Sequence, residues 1–407
     1  MPHARHALFL CVLTLLCVGV LAVNSATMSV SDGPGVTLQS IIFSRSSAYM
    51  ALAVCAMLVA SRLPMRRVAE VLVARPWVGL IIPALLVMLF LPYVPGIAHV
   101  VNGSARWIRI PGTSFTFQPS EFAKWGVPLV LAWHGARRAA VMHRFKDGLL
   151  PGLIIIALIA GLVTKEDLGT GLLIAASATV VLIASGARVA HFAWMVPVGL
   201  IGVVGAIITS PYRVRRVVTF IDPYADPDGA GYHVIQSLVA IANGNGYGRG
   251  LGFGLQKFGY LPEDETDFIF AIICEEMGIV GALTVMLLYL GVIFAGWSIA
   301  RRQESLLLKL FAIGVLATFA MQAVMNLMVV TGLAPTKGIA LPLLSSGGTG
   351  WVLTCASLGV LMAMDRIGAA RRPSRQPRRP PPTLSRHDGR SETTRVFFAG
   401  GAAPAGT

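Results

Sequence analysis

Apolar residues run through this chain in long blocks with few charges, and short polar connections separate them. Each block approaches the length at which an α-helix, rising about 1.5 Å per residue, crosses roughly 30 Å of hydrocarbon. The pattern predicts spans over residues 8–25, 48–61, 77–96, 120–134, 149–164, 168–185, 190–209, 267–299, 306–331 and 341–364. The first block follows His3, Arg5 and His6 but has no small-residue cleavage site after it, so it reads as an uncleaved span. The expected fold is an all-α polytopic membrane protein of about ten transmembrane helices with one long structured extracytoplasmic loop.

The polar connections fall into two classes. Alternate ones collect the basic residues: Arg62, Arg66, Arg67 and Arg75; Arg137, Arg138, Arg144 and Lys146; Arg188; Arg301 and Arg302. Short loops rich in Lys and Arg stay cytoplasmic, which puts both termini on the inner side of the membrane. Residues 1–365 form the membrane domain. Residues 366–407 form a Pro- and Arg-rich tail expected to be disordered, with anionic lipids as its natural contact. On the other side one connection runs from about residue 210 to 266, far longer than usual. It contains Tyr212, Phe220, Tyr224, Tyr232, Tyr247 and Phe258, so it is expected to pack as re-entrant or interfacial helices and to carry the active region.

Composition agrees with this topology: 55% of residues are hydrophobic and only 13% charged, against about 25% charged in soluble domains. The net charge of +14 sits in loops and tail without aromatic interleaving, which excludes a nucleic-acid platform. Cys11, Cys17, Cys55, Cys274 and Cys355 all lie in apolar segments at no metal or redox spacing. The eight histidines show no ligand spacing either.

Acids at or inside spans cost several kcal/mol unless paired or facing a cavity, which marks them as functional candidates. Glu263, Asp264, Glu265 and Asp267 crowd the start of the eighth span. Thr266 or Asp267 can cap that helix; alternatively, repulsion and partial desolvation raise Asp267 towards a general base. Glu121 and Lys124 share a helix face at i,i+3, either as a self-neutralised pair or as a polar site. Asp167 sits in a very short turn on the same side. Glu275, with Glu276, lies deeper and needs a proton, a partner or a water-filled cavity. Opposing cations are Arg106, Arg109, Arg213, Arg215, Arg216, Arg249, Lys257 and Lys337, against the usual bias for that side, and a phosphate-bearing ligand would account for them. The glycines at alternate positions from Gly244 to Gly254 fit no nucleotide fingerprint and read as backbone for tight turns or close approach to a lipid or glycan.

Five motifs then match a family. They are Asn102-Gly-Ser-Ala-Arg-Trp107 with Phe117-Gln-Pro-Ser-Glu-Phe-Ala-Lys124; Asp167-Leu-Gly-Thr170; Phe220-Ile-Asp-Pro-Tyr224 with Gly231-Tyr-His-Val-Ile-Gln236-Ser237; Leu261-Pro-Glu through Thr266-Asp-Phe, with Glu275-Glu-Met-Gly278; and Gln322, Asn326 and Gly332 through Gly348. Together they resemble the SEDS family (shape, elongation, division, sporulation). Pro335-Thr-Lys-Gly338 looks like the FtsW type more than the RodA type. Ser346, Lys165-Glu166 and Tyr224 depart from the usual residues at their positions. The resemblance implies a peptidoglycan glycosyltransferase that polymerises lipid II with a class B penicillin-binding protein and other divisome proteins. Asp267 would be the catalytic carboxylate, and Glu121, Lys124, Asp167, Arg213, Arg216, Gln236, Lys337 and Glu275 would bind substrate. A divalent cation such as Mg or Mn stays open. The alternatives are a lipid II flippase and a RodA-type elongation polymerase.

Overall fold

The computed structural model describes residues 4–27, 38–74, 76–94, 98–101, 104–109, 116–229, 231–262, 265–346 and 348–370. Its helices are α1 (Ala4–Ala26), α2 (Leu38–Ile42), α3 (Arg45–Ala60), α4 (Met65–Ala74), α5 (Ile81–Phe90), α6 (Pro119–Arg137), α7 (Leu150–Glu166), α8 (Leu168–Ala184) and α9 (Val189–Ile208). They continue as α10 (Pro211–Ile221), α11 (Tyr232–Asn243), α12 (Ile269–Ala300), α13 (Leu306–Val330) and α14 (Thr349–Ala370). The tail beyond residue 370, Arg75, Glu263 and Asp264 lie outside the described residues.

Every predicted span is a helix. By length and apolarity α1, the segment Phe145–Glu166, α9, α12 and α13 each suffice to cross a bilayer, and α3 joined to α4 through a 74° bend makes a sixth. Val78–Tyr93 and α8 are shorter apolar helices, and α6 and α14 complete the ten. The last span starts at Thr349 rather than at 341. Pro342 cannot donate a helical bond, Leu343 has φ 68°, and Ser345 Oγ accepts from the Leu341 amide at 2.7 Å, so residues 341–346 form turns.

The core runs through α1, α6, α8, α12, α13 and α14, while Leu10, Leu52, Val87, Ile154 and Phe294 point outward. Large apolar residues facing out are what a lipid environment tolerates. α9 is the extreme case, with none of its residues buried and Trp194 81% exposed.

The fold is not purely helical. β1 (Ala98–Val101), β2 (Ser104–Arg109) and β3 (Thr116–Phe117) form a small antiparallel sheet in the order β1-β2-β3. Asn102-Gly103, which separates the first two strands in the sequence, is the strongest short-range hairpin signal.

The long connection packs as expected of a structured loop. It holds α10, α11 and a run of turns over 244–262. That run docks on a break in α12, where Gly278 has φ 61° and ψ −155°.

Candidate active site

α12 starts from Phe268, whose own side chain makes no cap bond. Asp267 is half-buried in the turn that leads into α12. Asn326 holds that turn: its Nδ2 donates to the Asp267 carbonyl at 2.7 Å and to the Ile339 carbonyl at 2.8 Å. Gln322, one turn earlier on the same face of α13, donates to the Ala340 carbonyl at 2.7 Å. These two amides therefore lay residues 337–340 beside Asp267. A methyl built on Gly338 would lie 3.7 Å from Asp267 Oδ2 and 3.6 Å from Arg106 Nη1, so the carboxylate and the guanidinium flank one point.

Arg106 comes from the small sheet. Successive strand residues face opposite ways; β2 sends Arg106 to Asp167, with Nη1 3.4 Å from Oδ2, and Trp107 to a cleft on the other side. Asp167 does cap its helix, accepting from the Thr170 amide at 3.0 Å and its hydroxyl at 2.9 Å. It thereby joins capping to an ion pair. Lys337 belongs to the same group: burial pushes its ammonium below the ordinary 10.5, and the Asp167 carboxylate pushes it back up.

Glu121 and Lys124 pair as their spacing predicts, at 2.7 Å. Lys124 is almost wholly buried and also donates to Gln322 Oε1 at 2.9 Å. The same Gln322 thus links the pair to the 340 loop. A methyl on Gly350 would lie 3.4 Å from Glu121 Oε2, which sets the pair under the start of α14. There a cleft of about 390 Å³ opens, lined by Asn24, Arg45, Tyr49, Trp107, Glu265 and Trp351 among others.

Three expected substrate ligands fall elsewhere. Arg213 donates to the Ala206, Thr164 and Lys165 carbonyls at 3.0, 2.7 and 2.8 Å, which ties α9 and α10 to the end of α7. Arg216 donates to the Thr336 carbonyl at 2.9 Å and to the Tyr212 hydroxyl, and stacks over the Tyr212 ring. Both guanidiniums are occupied in holding backbone and neighbours. Glu275 is fully buried, and its two oxygens accept from the Leu255 and Gln256 amides at 3.0 and 3.2 Å, with Arg249 Nε 4.0 Å away. Its role is to anchor the loop, apart from the Asp267 group. Gln236, half-buried on α11, makes no described hydrogen bond to that group.

The glycine run has a similar explanation. A Cβ on Gly244 would lie 2.0 Å from the Cys274 carbonyl, and one on Gly248 would lie 2.3 Å from that of Glu276. The close approach of Gly244 and Gly248 is to α12. Among the described residues no group of three or more His, Cys, Asp or Glu is placed to hold a metal ion. Asp167, Glu121, Glu275 and Glu276 are paired with Arg106, Lys124, Arg249 and Lys257.

The family model described as cell cycle protein, FtsW/RodA/SpoVE, matches residues 5–369. The chain belongs to the FtsW/RodA/SpoVE family. This is the family that the motifs resemble. Within the FtsW/RodA/SpoVE family, stage V sporulation protein E of Bacillus subtilis is 38% identical over 72% of this chain and 80% of its own. A protein named "probable peptidoglycan glycosyltransferase FtsW" from Thioalkalivibrio sulfidiphilus is 36% identical over 88% of each chain. The solved structure described as "Structural coordination of polymerization and crosslinking by a peptidoglycan synthase complex" superposes with TM-score 0.67 at 26% identity, covering 89% of this chain and 97% of that one. RodA of Thermus thermophilus shares the fold, with TM-score 0.59 at 21% identity over 88% of this chain and 95% of its own.

Proposed function

We propose that the protein is a peptidoglycan glycosyltransferase of FtsW type that polymerises lipid II for the septal wall in cell division. The names of the FtsW relatives support the activity and the division role. The observation that carries the mechanism is the convergence of Asp267 and Arg106 on Gly338, next to Asp167 and Lys337. Asp267 accepts the proton of the acceptor sugar hydroxyl as its oxygen attacks the anomeric carbon of the donor. The bond from that carbon to the lipid pyrophosphate breaks, and Arg106 and Lys337 stabilise the charge that develops on the leaving group. Arg213 and Arg216 act indirectly, by holding the backbone around the site. The cleft beside Glu265, next to the Glu121–Lys124 pair, forms the surface on which the saccharides lie, with Trp107 and Tyr49 as stacking faces.

The Asp267 face lies outside the cytoplasmic membrane, and both termini lie inside. This reading rests on the basic residues gathered at the opposite ends of the helices, Arg66, Arg137, Arg138, Lys146, Arg188 and Arg301 among them. The partner is a class B penicillin-binding protein, which the similarity to a peptidoglycan synthase complex supports.

The test uses the full chain with its penicillin-binding partner and labelled lipid II. Wild type makes glycan strands and Asp267→Asn makes none. Strands formed equally well by the Asn protein would remove Asp267 as the base. Movement of labelled lipid between leaflets, with no strands under any condition, would favour the flippase.

A further inference from the structure

Two consecutive glutamates precede the break in α12, and they face different work. Glu275 holds the 249–256 loop. Glu276 Oε1 lies 2.8 Å from Lys257 Nζ and accepts from Ser25 Oγ at 2.7 Å, while Lys257 also donates to Ser25 Oγ at 2.9 Å. The Lys257 side chain has no exposure and Glu276 has 3%. This closed triangle joins the last turn of α1, the loop after α11 and the first part of α12.

A buried ion pair is a poor source of stability, because desolvation offsets most of its Coulomb attraction and apolar side chains of similar size often serve as well. What it supplies is fixed geometry. Glu276 lies in the last turn of the helical segment 269–277, before Gly278, and Asp267 leads into its other end. Ile269 through Glu276 are buried on all sides, so the segment moves as one piece with the packing around it. Asn326 ties down the Asp267 end. Lys257 and Ser25 tie down the other.

We propose that Lys257 is a positioning residue for glycosyl transfer. By clamping Glu276 to Ser25 it sets the height and angle of segment 269–277, and so the placement of Asp267 against Arg106. The inference rests on Asp267 acting as the base. Ser25 adds a connection, since its neighbours Asn24 and Thr27 line the cleft beside Glu265.

The test compares Ser25→Ala, the paired variant Lys257→Met/Glu276→Met, and Asp267→Asn, each as the full chain with its penicillin-binding partner in liposomes containing labelled lipid II. Rates are measured across pH together with melting temperature. The paired variant removes both charges, so it leaves no orphaned ion to unfold the protein. The expected result is a fall in rate of about ten- to a hundredfold in both Ser25→Ala and the paired variant, near-native melting temperatures, and a displaced acid limb of the pH–rate profile. Lower rates with an unmoved pH midpoint would mean a merely structural role and overturn the proposal. Wild-type rate and midpoint in both variants, with Asp267→Asn inactive, would overturn it while leaving the base intact. An active Asp267→Asn protein would remove the base and this proposal together.

Discussion

Gly248 and Gly278 meet backbone to backbone: a Cβ on Gly278 would fall 2.4 Å from the Gly248 nitrogen. Gly278 also has φ 61° with ψ −155°, and Gly248 has φ 75°, conformations that cost L-residues about 1–3 kcal/mol. Gly278→Ala adds a backbone clash to that strain. We expect it to destabilise the protein by about 2 kcal/mol or more, to lower the melting temperature in detergent, and to open the 244–262 loop to limited proteolysis. An unchanged melting temperature and cleavage pattern would show that the loop does not depend on this contact.

The buried pair on α6 gives a second test. Glu121→Gln leaves the Lys124 ammonium buried without a counter-charge, with neutral amide oxygens as its polar partners, a loss of about 3 kcal/mol or more for an orphaned charge. Replacing both, as Glu121→Gln/Lys124→Met, should cost less than the single change. A double-mutant cycle by thermal unfolding measures the coupling, and additive losses would rule the pair out as a unit.

Arginines on the same face should separate by kinetics. Arg213→Ala should lower the melting temperature and leave the KM for lipid II within about twofold, since its donors serve carbonyls of α7 and α9. Arg106→Ala should lower kcat by about a hundredfold, the range for losing a charge-stabilising donor. Equal kinetic effects of the two changes would contradict the assignment.

Lys337 predicts an alkaline limb. Its pKa in the folded protein lies below 10.5, mainly through burial. It loses its proton, as pH rises, before an ordinary lysine would. Activity that uses its charge should decline on the alkaline side ahead of 10.5. Lys337→Arg, which keeps its charge there, should extend the plateau upward. Identical profiles for the two proteins would exclude Lys337 from charge stabilisation.

Helix positions were legible in the sequence because long apolar blocks and alternating basic loops are strong signals. Asp267, Asp167 and the Glu121–Lys124 pair were legible too, as charges where lipid makes them costly. The destinations of Arg213 and Glu275 were not. A sequence shows that a charge needs a partner, but here the partners are backbone atoms, carbonyls of α7 and amides of residues 255–256, which carry no residue-type signature. The pairing of Lys257 was hidden for a related reason: its partners lie 19 and 232 residues away. Gln322 and Asn326, polar at i,i+4 in an apolar helix, could have been singled out by periodicity alone. The β2 strand that delivers Arg106 had only the Asn102-Gly103 signal.

The break at Gly278 bears on how the site meets its membrane. Unbroken, the 32 residues of α12 would extend about 48 Å, well past a hydrocarbon core of roughly 30 Å. With the break, residues 279–300 alone, about 33 Å long, match the bilayer. The level of Asp267 is then fixed by protein packing rather than by lipid. The reacting groups can keep their register in membranes of different thickness, a form of insulation against hydrophobic mismatch.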